Sequence, residues 1–286
     1  MEFLSPATWA DALAAKAARP DAVPVAGGTD VMVELNFDRR RPPALLDLTR
    51  VGELAEHGTD GDHLRVGAGV PYARIIAELG DRLPGLARAA RTVGSPQIRN
   101  RGTVGGNLGS ASPAGDAHPP LLAAAAVVEL ASVRGTRRVP VGEFFTGPKR
   151  SVLAADELIS AVLVPPAPGP QQFAKVGTRN AMVIAVCSVA VALDPPARRV
   201  GSGVGSAAPT PVRAPAAEEL AAELPWEHRG ELPATLAARF GELVAAAASP
   251  IDDVRGTAAY RRHALAVLGR RTLTWAWDEY RRGGIA

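Results

Sequence analysis

Two glycine-bearing turns are the parts of this sequence whose residue types and spacing suit chemistry. The first, Val25-Ala26-Gly27-Gly28-Thr29-Asp30, stands between a predicted strand and a predicted helix. Glycine lets the backbone approach an anion closely and adopt positive φ. The N–H groups at the start of the following helix can then hold phosphate oxygens. The second is Asn100-Arg101-Gly102-Thr103-Val104-Gly105-Gly106-Asn107-Leu108, followed by Ser110-Ala111-Ser112-Pro113-Ala114-Gly115-Asp116. It is dense in small residues, and Asn107 and Asp116 offer polar groups able to hydrogen-bond a sugar-like chain. Taken alone, the first turn reads either as a cradle or as a tight strand-to-helix connection, and the second either as a cradle or as a glycine-rich surface loop. Neither is a Walker loop, because no Gly-Lys-Ser/Thr follows.

The run Gly201-Ser202-Gly203-Val204-Gly205-Ser206 has the spacing of a dinucleotide fingerprint, but Ser206 takes the third glycine's place. The prolines at 209, 211 and 215 exclude the helix that should follow, so this run is read as a strand. No metalloprotease helix, nucleophile elbow or kinase signature is present. His57, His63, His118, His228 and His263 are scattered without ligand spacing, so neither a metal site nor a catalytic constellation is expected. His118 adjoins the second turn and is read as a solvent-edge or capping side chain. Asp252 and Asp253 are read as an acidic helix start suited to the dipole rather than an acid/base pair. Lys175 and Arg179 fall near a domain junction, where they either reach a ligand or form a solvated face.

The elements that position these residues follow from pattern. Ser5 before Pro6 predicts an N-cap with proline at the first helical position. A strand over 22–26, a helix over 31–35 and a strand over 44–48 give a small α/β unit. A strand over 64–68 and helices over 72–79 and 84–92 lead into the glycine-rich stretch 94–120. A short helix over 120–125, a hairpin over 127–141 and a strand over 157–164 come next. Four prolines in the six residues 165–170 make a rigid connection. Strands over 174–176 and 183–193, a hairpin partner within 197–213 and a helical remainder complete the chain, with the last helix starting at Ser249-Pro250.

Hydrophobic residues make up 47% of the 286 and charged residues 21%, which supplies a full core and argues against disorder. The net charge of +3 is too small to indicate a nucleic-acid partner. Cys187 is the single cysteine and sits in an apolar run. One cysteine permits no internal disulfide and cannot hold an iron–sulfur cluster, which needs about four ligands. No stretch approaches the roughly 18 apolar residues of a membrane span, and no basic-then-apolar leader is seen, so a cytoplasmic location is expected.

In this order, Ala26-Gly27-Gly28-Thr29-Asp30, Gln97-Ile98-Arg99-Asn100 through Gly105-Gly106-Asn107, and Ala111-Ser112-Pro113-Ala114-Gly115-Asp116 resemble the FAD-carrying (medium) subunits of the xanthine dehydrogenase and carbon monoxide dehydrogenase family of molybdenum hydroxylases. Lys175-Val176-Gly177-Thr178-Arg179, Ala208-Pro209-Thr210-Pro211-Val212-Arg213-Ala214, and Asp253-Val254-Arg255-Gly256 with Tyr260-Arg261-Arg262 extend the resemblance over nearly the whole chain. The resemblance implies an α+β fold. A two-subdomain FAD-binding domain of the PCMH (vanillyl-alcohol-oxidase) type would cover 1–170, with subdomains about 1–55 and 56–170. A C-terminal α+β flavoprotein domain would cover 171–286. It also implies that Val25, Ala26, Gly27, Gly28, Thr29 and Asp30, with Thr103, Val104, Gly105, Gly106 and Asn107, surround the FAD pyrophosphate. Asp116 would bind the ribityl or adjacent sugar region, Ile159 would line the site, and Lys175 would sit near the flavin ring. Ile184 falls where some relatives place an aromatic beside the flavin, and His118 replaces a commoner apolar residue.

The implied partners are a large subunit with the molybdenum cofactor, a small subunit with [2Fe–2S] centres, and NAD or another electron acceptor. Electrons would run from substrate to molybdenum, to [2Fe–2S], to FAD and on to the acceptor. Xanthine or another purine is the expected substrate of the complex, with carbon monoxide or an aromatic compound as the alternative. A self-contained flavin oxidase and a flavin-free scaffold subunit are the competing readings.

Overall fold

A computed structural model describes residues 1–283, so the last three residues of the expected 171–286 domain lie outside the described residues. The chain begins with β1 (Glu2–Leu4), α1 (Trp9–Ala18), β2 (Val23–Val25), α2 (Val31–Asn36) and β3 (Ala44–Asp47). These strands form a parallel sheet in the order β1-β3-β2. The central strand buries Ala44, Leu45 and Leu46, as expected where helices cover a parallel sheet. The expected cap at Ser5 is corrected here. Pairing with β3 draws residues 2–4 into a strand, and α1 is capped by Thr8, whose Oγ1 accepts from the Asp11 amide at 3.1 Å.

The chain continues with β4 (His57–Asp60), β5 (His63–Gly67), α3 (Tyr72–Glu78), α4 (Pro84–Thr92), α5 (Pro96–Arg101), α6 (Val104–Ser110), α7 (His118–Ala123), β6 (Val127–Ser132), β7 (Gly135–Pro140), α8 (Val141–Phe144), β8 (Phe145–Gly147), β9 (Arg150–Ser151) and β10 (Leu158–Val164). An antiparallel sheet has the order β4-β5-β10-β6-β7. Every residue of β10, Leu-Ile-Ser-Ala-Val-Leu-Val, is buried, which is why this central strand is apolar but for Ser160, whose hydroxyl donates to Glu129 O at 3.1 Å. The β7 edge instead carries Arg137 and Arg138, which pair with Glu157 and Glu129 and guard the edge with charge. The stretch 94–120 holds two further helices. Ser95 with Pro96 starts α5, and Thr103 starts α6 by accepting from the Gly106 amide at 2.9 Å.

The last part comprises β11 (Gln171–Val176), β12 (Cys187–Asp194), β13 (Arg199–Gly205), α9 (Pro215–Glu218), α10 (Ala234–Ala246) and α11 (Ala258–Arg281). The three strands form an antiparallel meander with β12 in the middle. Val189, Val191 and Leu193 pack in one core with Phe240, Leu265 and Trp277 of the helices. The glycine run at 201–205 is a strand, as expected. Glycines suit it because a Cβ at Gly201 or Gly203 would strike the α7 backbone.

Two expectations are corrected in this part. The strand expected from Val183 starts only at Cys187, after a loop whose end is tied by the Val186 amide to Val176 O at 2.7 Å. The final helix begins at Ala258, capped by Thr257, and not at Ser249-Pro250. Asp253 is held in the preceding loop by the Arg255 amide at 2.7 Å and by Arg261 Nη2 at 2.5 Å, so it cannot serve the helix start.

Candidate functional site

The two glycine turns lie against each other. After β2 the chain turns through Gly28, whose φ of +73° suits glycine. Gly27 faces backbone, and a Cβ on it would run into the Arg101 carbonyl oxygen. A Cβ on Gly102 would lie 3.4 Å from Thr29 Oγ1, and one on Gly106 would lie 4.0 Å from Ala26 Cβ. Asp30 is exposed at the start of α2, and its side chain makes no capping bond.

The turns nevertheless offer different things. In the second, Val104 is fully buried, and Gly105 is pressed on Ala68, donating to its carbonyl at 3.1 Å. The Gly106 amide is taken by Thr103 Oγ1. In the first, among the described residues, the amides of Gly27, Gly28, Thr29, Asp30 and Val31 have no acceptor within the protein. Successive unpaired amides make a concavity suited to an anion.

Around the second turn, Asn107 Oδ1, Asp116 Oδ1, His118 Nδ1 and the Tyr72 hydroxyl are buried without a hydrogen-bond partner. Such orphans are rare in folded proteins, and several at one place indicate a ligand position. Asp116 Oδ2 is occupied: it accepts from Lys175 Nζ at 2.6 Å and stands 3.3 Å from Thr92 Oγ1. Burial pushes the Asp116 carboxyl above its ordinary range, and the Lys175 charge opposes that rise. Lys175 also donates to Thr92 O at 2.9 Å and Val183 O at 3.1 Å, so all three of its N–H groups are engaged. Ile159 is buried at the irregularity in β10, where a Cβ on Gly109 would approach it to 3.8 Å.

The sequence expectation for His118 is corrected. The ring is fully buried, 4.5 Å from Phe145 and covered by Gly115, where a Cβ would collide with it. Its Nε2 lies 3.2 Å from Asn107 O, a geometry that requires an N–H there. Burial depresses its pKa to about 4, so the ring is neutral. Ile184 is half exposed on the loop before β12. Thr92 was missed by sequence reading, because it sits in no motif and only the fold brings it to Asp116.

A cleft of about 570 Å³ opens beside Lys175, lined on one side by Arg91, Ser95 and Arg99 and on the other by Arg179 and Asn180. Its charged lining is wholly cationic, which suits an anionic ligand. Arg179 also shapes its own loop, donating to Ala181 O at 3.1 Å and to Met182 O. Among the described residues, no cluster of three or more His, Cys, Asp or Glu could hold a metal, and no helix is long and apolar enough to cross a membrane.

Residues 1–167 match the family described as "FAD binding domain in molybdopterin dehydrogenase", and residues 172–276 match "CO dehydrogenase flavoprotein C-terminal domain". The nicotine 6-hydroxylase medium subunit of Paenarthrobacter nicotinovorans is 32% identical over 281 residues, covering 96% of this chain and 97% of that protein. The xanthine dehydrogenase FAD-binding subunit of Escherichia coli O157:H7 is 33% identical, covering 94% of each. A solved structure of carbon monoxide dehydrogenase from Hydrogenophaga pseudoflava superposes with a TM-score of 0.88 at 27% identity, covering 97% of each chain. These matches set aside the flavin-free scaffold. The chain belongs to the FAD-binding medium subunits of the molybdenum hydroxylase family, and FAD is its cofactor.

Proposed function

We propose that this chain receives electrons from [2Fe–2S] centres on a small partner subunit and passes them through FAD to NAD or another acceptor. The large subunit of the complex carries the molybdenum cofactor, and the complex is of the xanthine dehydrogenase type and cytoplasmic. The observation that carries the cofactor placement is the coincidence of unpaired amides at 27–31 with orphaned acceptors on Asn107 and Asp116. Those amides hold the pyrophosphate, and Asn107 and Asp116 accept from the ribityl and sugar hydroxyls. Val25, Ala26, Gly106 and Ile159 form the walls, while Thr103, Val104 and Gly105 fix α6 behind them. Lys175 reaches the flavin side only through Asp116, since its own donors are occupied. FAD supplies the redox chemistry when bound, and the chain supplies binding and electrostatics. This assignment goes with an FAD-binding domain over 1–170, subdivided near residue 55, and a flavoprotein domain over 171–286.

The xanthine-type reading is supported by the Escherichia coli relative. An aromatic-substrate dehydrogenase is the second reading, supported by the nicotine 6-hydroxylase relative. The arginine-lined cleft supports an anionic acceptor such as NAD. Two measurements test these claims. The purified chain should show flavin bands and release one FAD per chain, identified by mass; a chain without flavin after reconstitution overturns the cofactor placement. The complex assembled with its large and small subunits should oxidise xanthine in preference to carbon monoxide or nicotine, and the opposite preference replaces the first reading with its alternative.

A further inference from the structure

We infer that the Tyr72 hydroxyl belongs to the cofactor pocket and donates a hydrogen bond to the bound FAD. This rests on the FAD reading above. Tyr72 opens α3 directly after Pro71 and is 2% exposed. Its backbone is tied to the second turn: its amide donates to Gly102 O at 3.0 Å, and Pro71 bridges to Thr103. A Cβ on Gly102 would lie 3.6 Å from Tyr72 Cδ2 and 3.4 Å from Thr29 Oγ1. One edge of the ring thus adjoins Gly102, where the two glycine turns meet.

Packing does not account for the hydroxyl. Phenylalanine would fill the same core volume, and a buried phenol ordinarily finds a partner. Leaving that oxygen unpaired destabilises the fold, whereas removing it leaves the apolar contacts intact. The Tyr72 oxygen has no partner in the protein, and neither do Asn107 Oδ1 and Asp116 Oδ1. Asp116 acts electrostatically on Tyr72: burial first, and then the Asp116 charge, push the phenol pKa upward. The hydroxyl therefore stays protonated and is a donor. The pocket presents a donor on Tyr72 beside acceptors on Asn107 and Asp116, a mixture that the ionised, doubly esterified pyrophosphate, which only accepts, cannot satisfy. It suits an uncharged polar part of the cofactor that both donates and accepts, such as the ribityl hydroxyls or the polar edge of the flavin ring.

The test is Tyr72→Phe in the full chain, compared with wild type for melting of the apo form, FAD dissociation constant and absorption spectrum of the bound flavin. Apo Y72F should melt higher than apo wild type, because the orphan is gone. Its FAD dissociation constant should rise roughly five- to tenfold, with the flavin bands displaced. A purely structural tyrosine would not move the flavin bands. Unchanged FAD affinity, or a lower apo melting temperature, overturns the inference. A wild-type chain that takes up no FAD overturns the cofactor reading beneath it as well, so the two failures are told apart by the wild-type control.

Discussion

Lys175 Nζ stands 2.6 Å from Asp116 Oδ2, and the pair joins residues matched by two different family models. Their side chains are only 9% and 11% exposed. Removing one partner of such a pair strands a charge away from water, which costs about 3 kcal/mol or more. Lys175→Met should lower stability in denaturant unfolding by about that amount. The double variant K175M/D116N, with no charge left buried, should lose less. Equal losses in the two would mean that the ion pair is not what holds this seam.

Gly105 and Gly106 are neighbours with separable roles. A Cβ on Gly105 would sit 2.6 Å from Ala68 O, so Gly105→Ala should destabilise the apo chain by about 1–3 kcal/mol through overpacking. Gly106 is exposed, and a Cβ there meets only Thr103 Oγ1 at 3.1 Å and Ala26 Cβ at 4.0 Å. Gly106→Val should leave the apo fold largely intact and lower FAD content, read from flavin absorbance per chain. Full flavin in G106V would remove Gly106 from the cradle wall.

His118 gives the chain an acid-side weakness. Its folded pKa of about 4 lies below the ordinary 6.5 because burial disfavours the charged ring. The stability this provides is complete above pH 6.5 and is lost as pH falls towards 4, as the unfolded chain takes up the proton more readily. The full loss is roughly 3 kcal/mol. Urea midpoints measured from neutral pH downward should fall in wild type and be flatter across that window in His118→Gln. Parallel curves would show that another group sets the slope.

The cationic cleft makes a kinetic prediction for the assembled complex. Arg91 is exposed on its rim. With NAD as the acceptor proposed above, Arg91→Ala should raise KM for NAD severalfold while leaving flavin content, and turnover with an uncharged artificial acceptor, unchanged. If KM for NAD stays constant, the acceptor does not use this cleft.

Much of the fold was legible because its signals are local. The apolar run of β10, the glycine turn after β2 and the proline-rich connector are each contained in a few residues. The errors arose where a distant partner decided the outcome. Residues 2–4 become a strand because β3 lies alongside, and Asp253 leaves the helix start because Arg261 holds it. The proposed site divides in the same way. Gly27, Gly28, Gly106, Asn107 and Asp116 could be marked from motif. Tyr72 and Thr92 could not, and which turn keeps free amides depended on Ala68 and Thr103 answering those of α6.

The place of β10 in its sheet bears on how the chain comes together as it is made. Residues 158–164 pair with β5 on one side and β6 on the other, and the sheet order gives those two no direct pairing. The β4–β5 and β6–β7 hairpins therefore leave the ribosome as separate pieces, each with an unpaired hydrogen-bonding edge, until the strand that unites them emerges. Such long-range pairing is slow and exposes unpaired edges in the meantime. The five-stranded sheet is completed from its middle, and a nascent chain that pauses before Leu158 holds two unjoined hairpins and not a smaller version of the sheet.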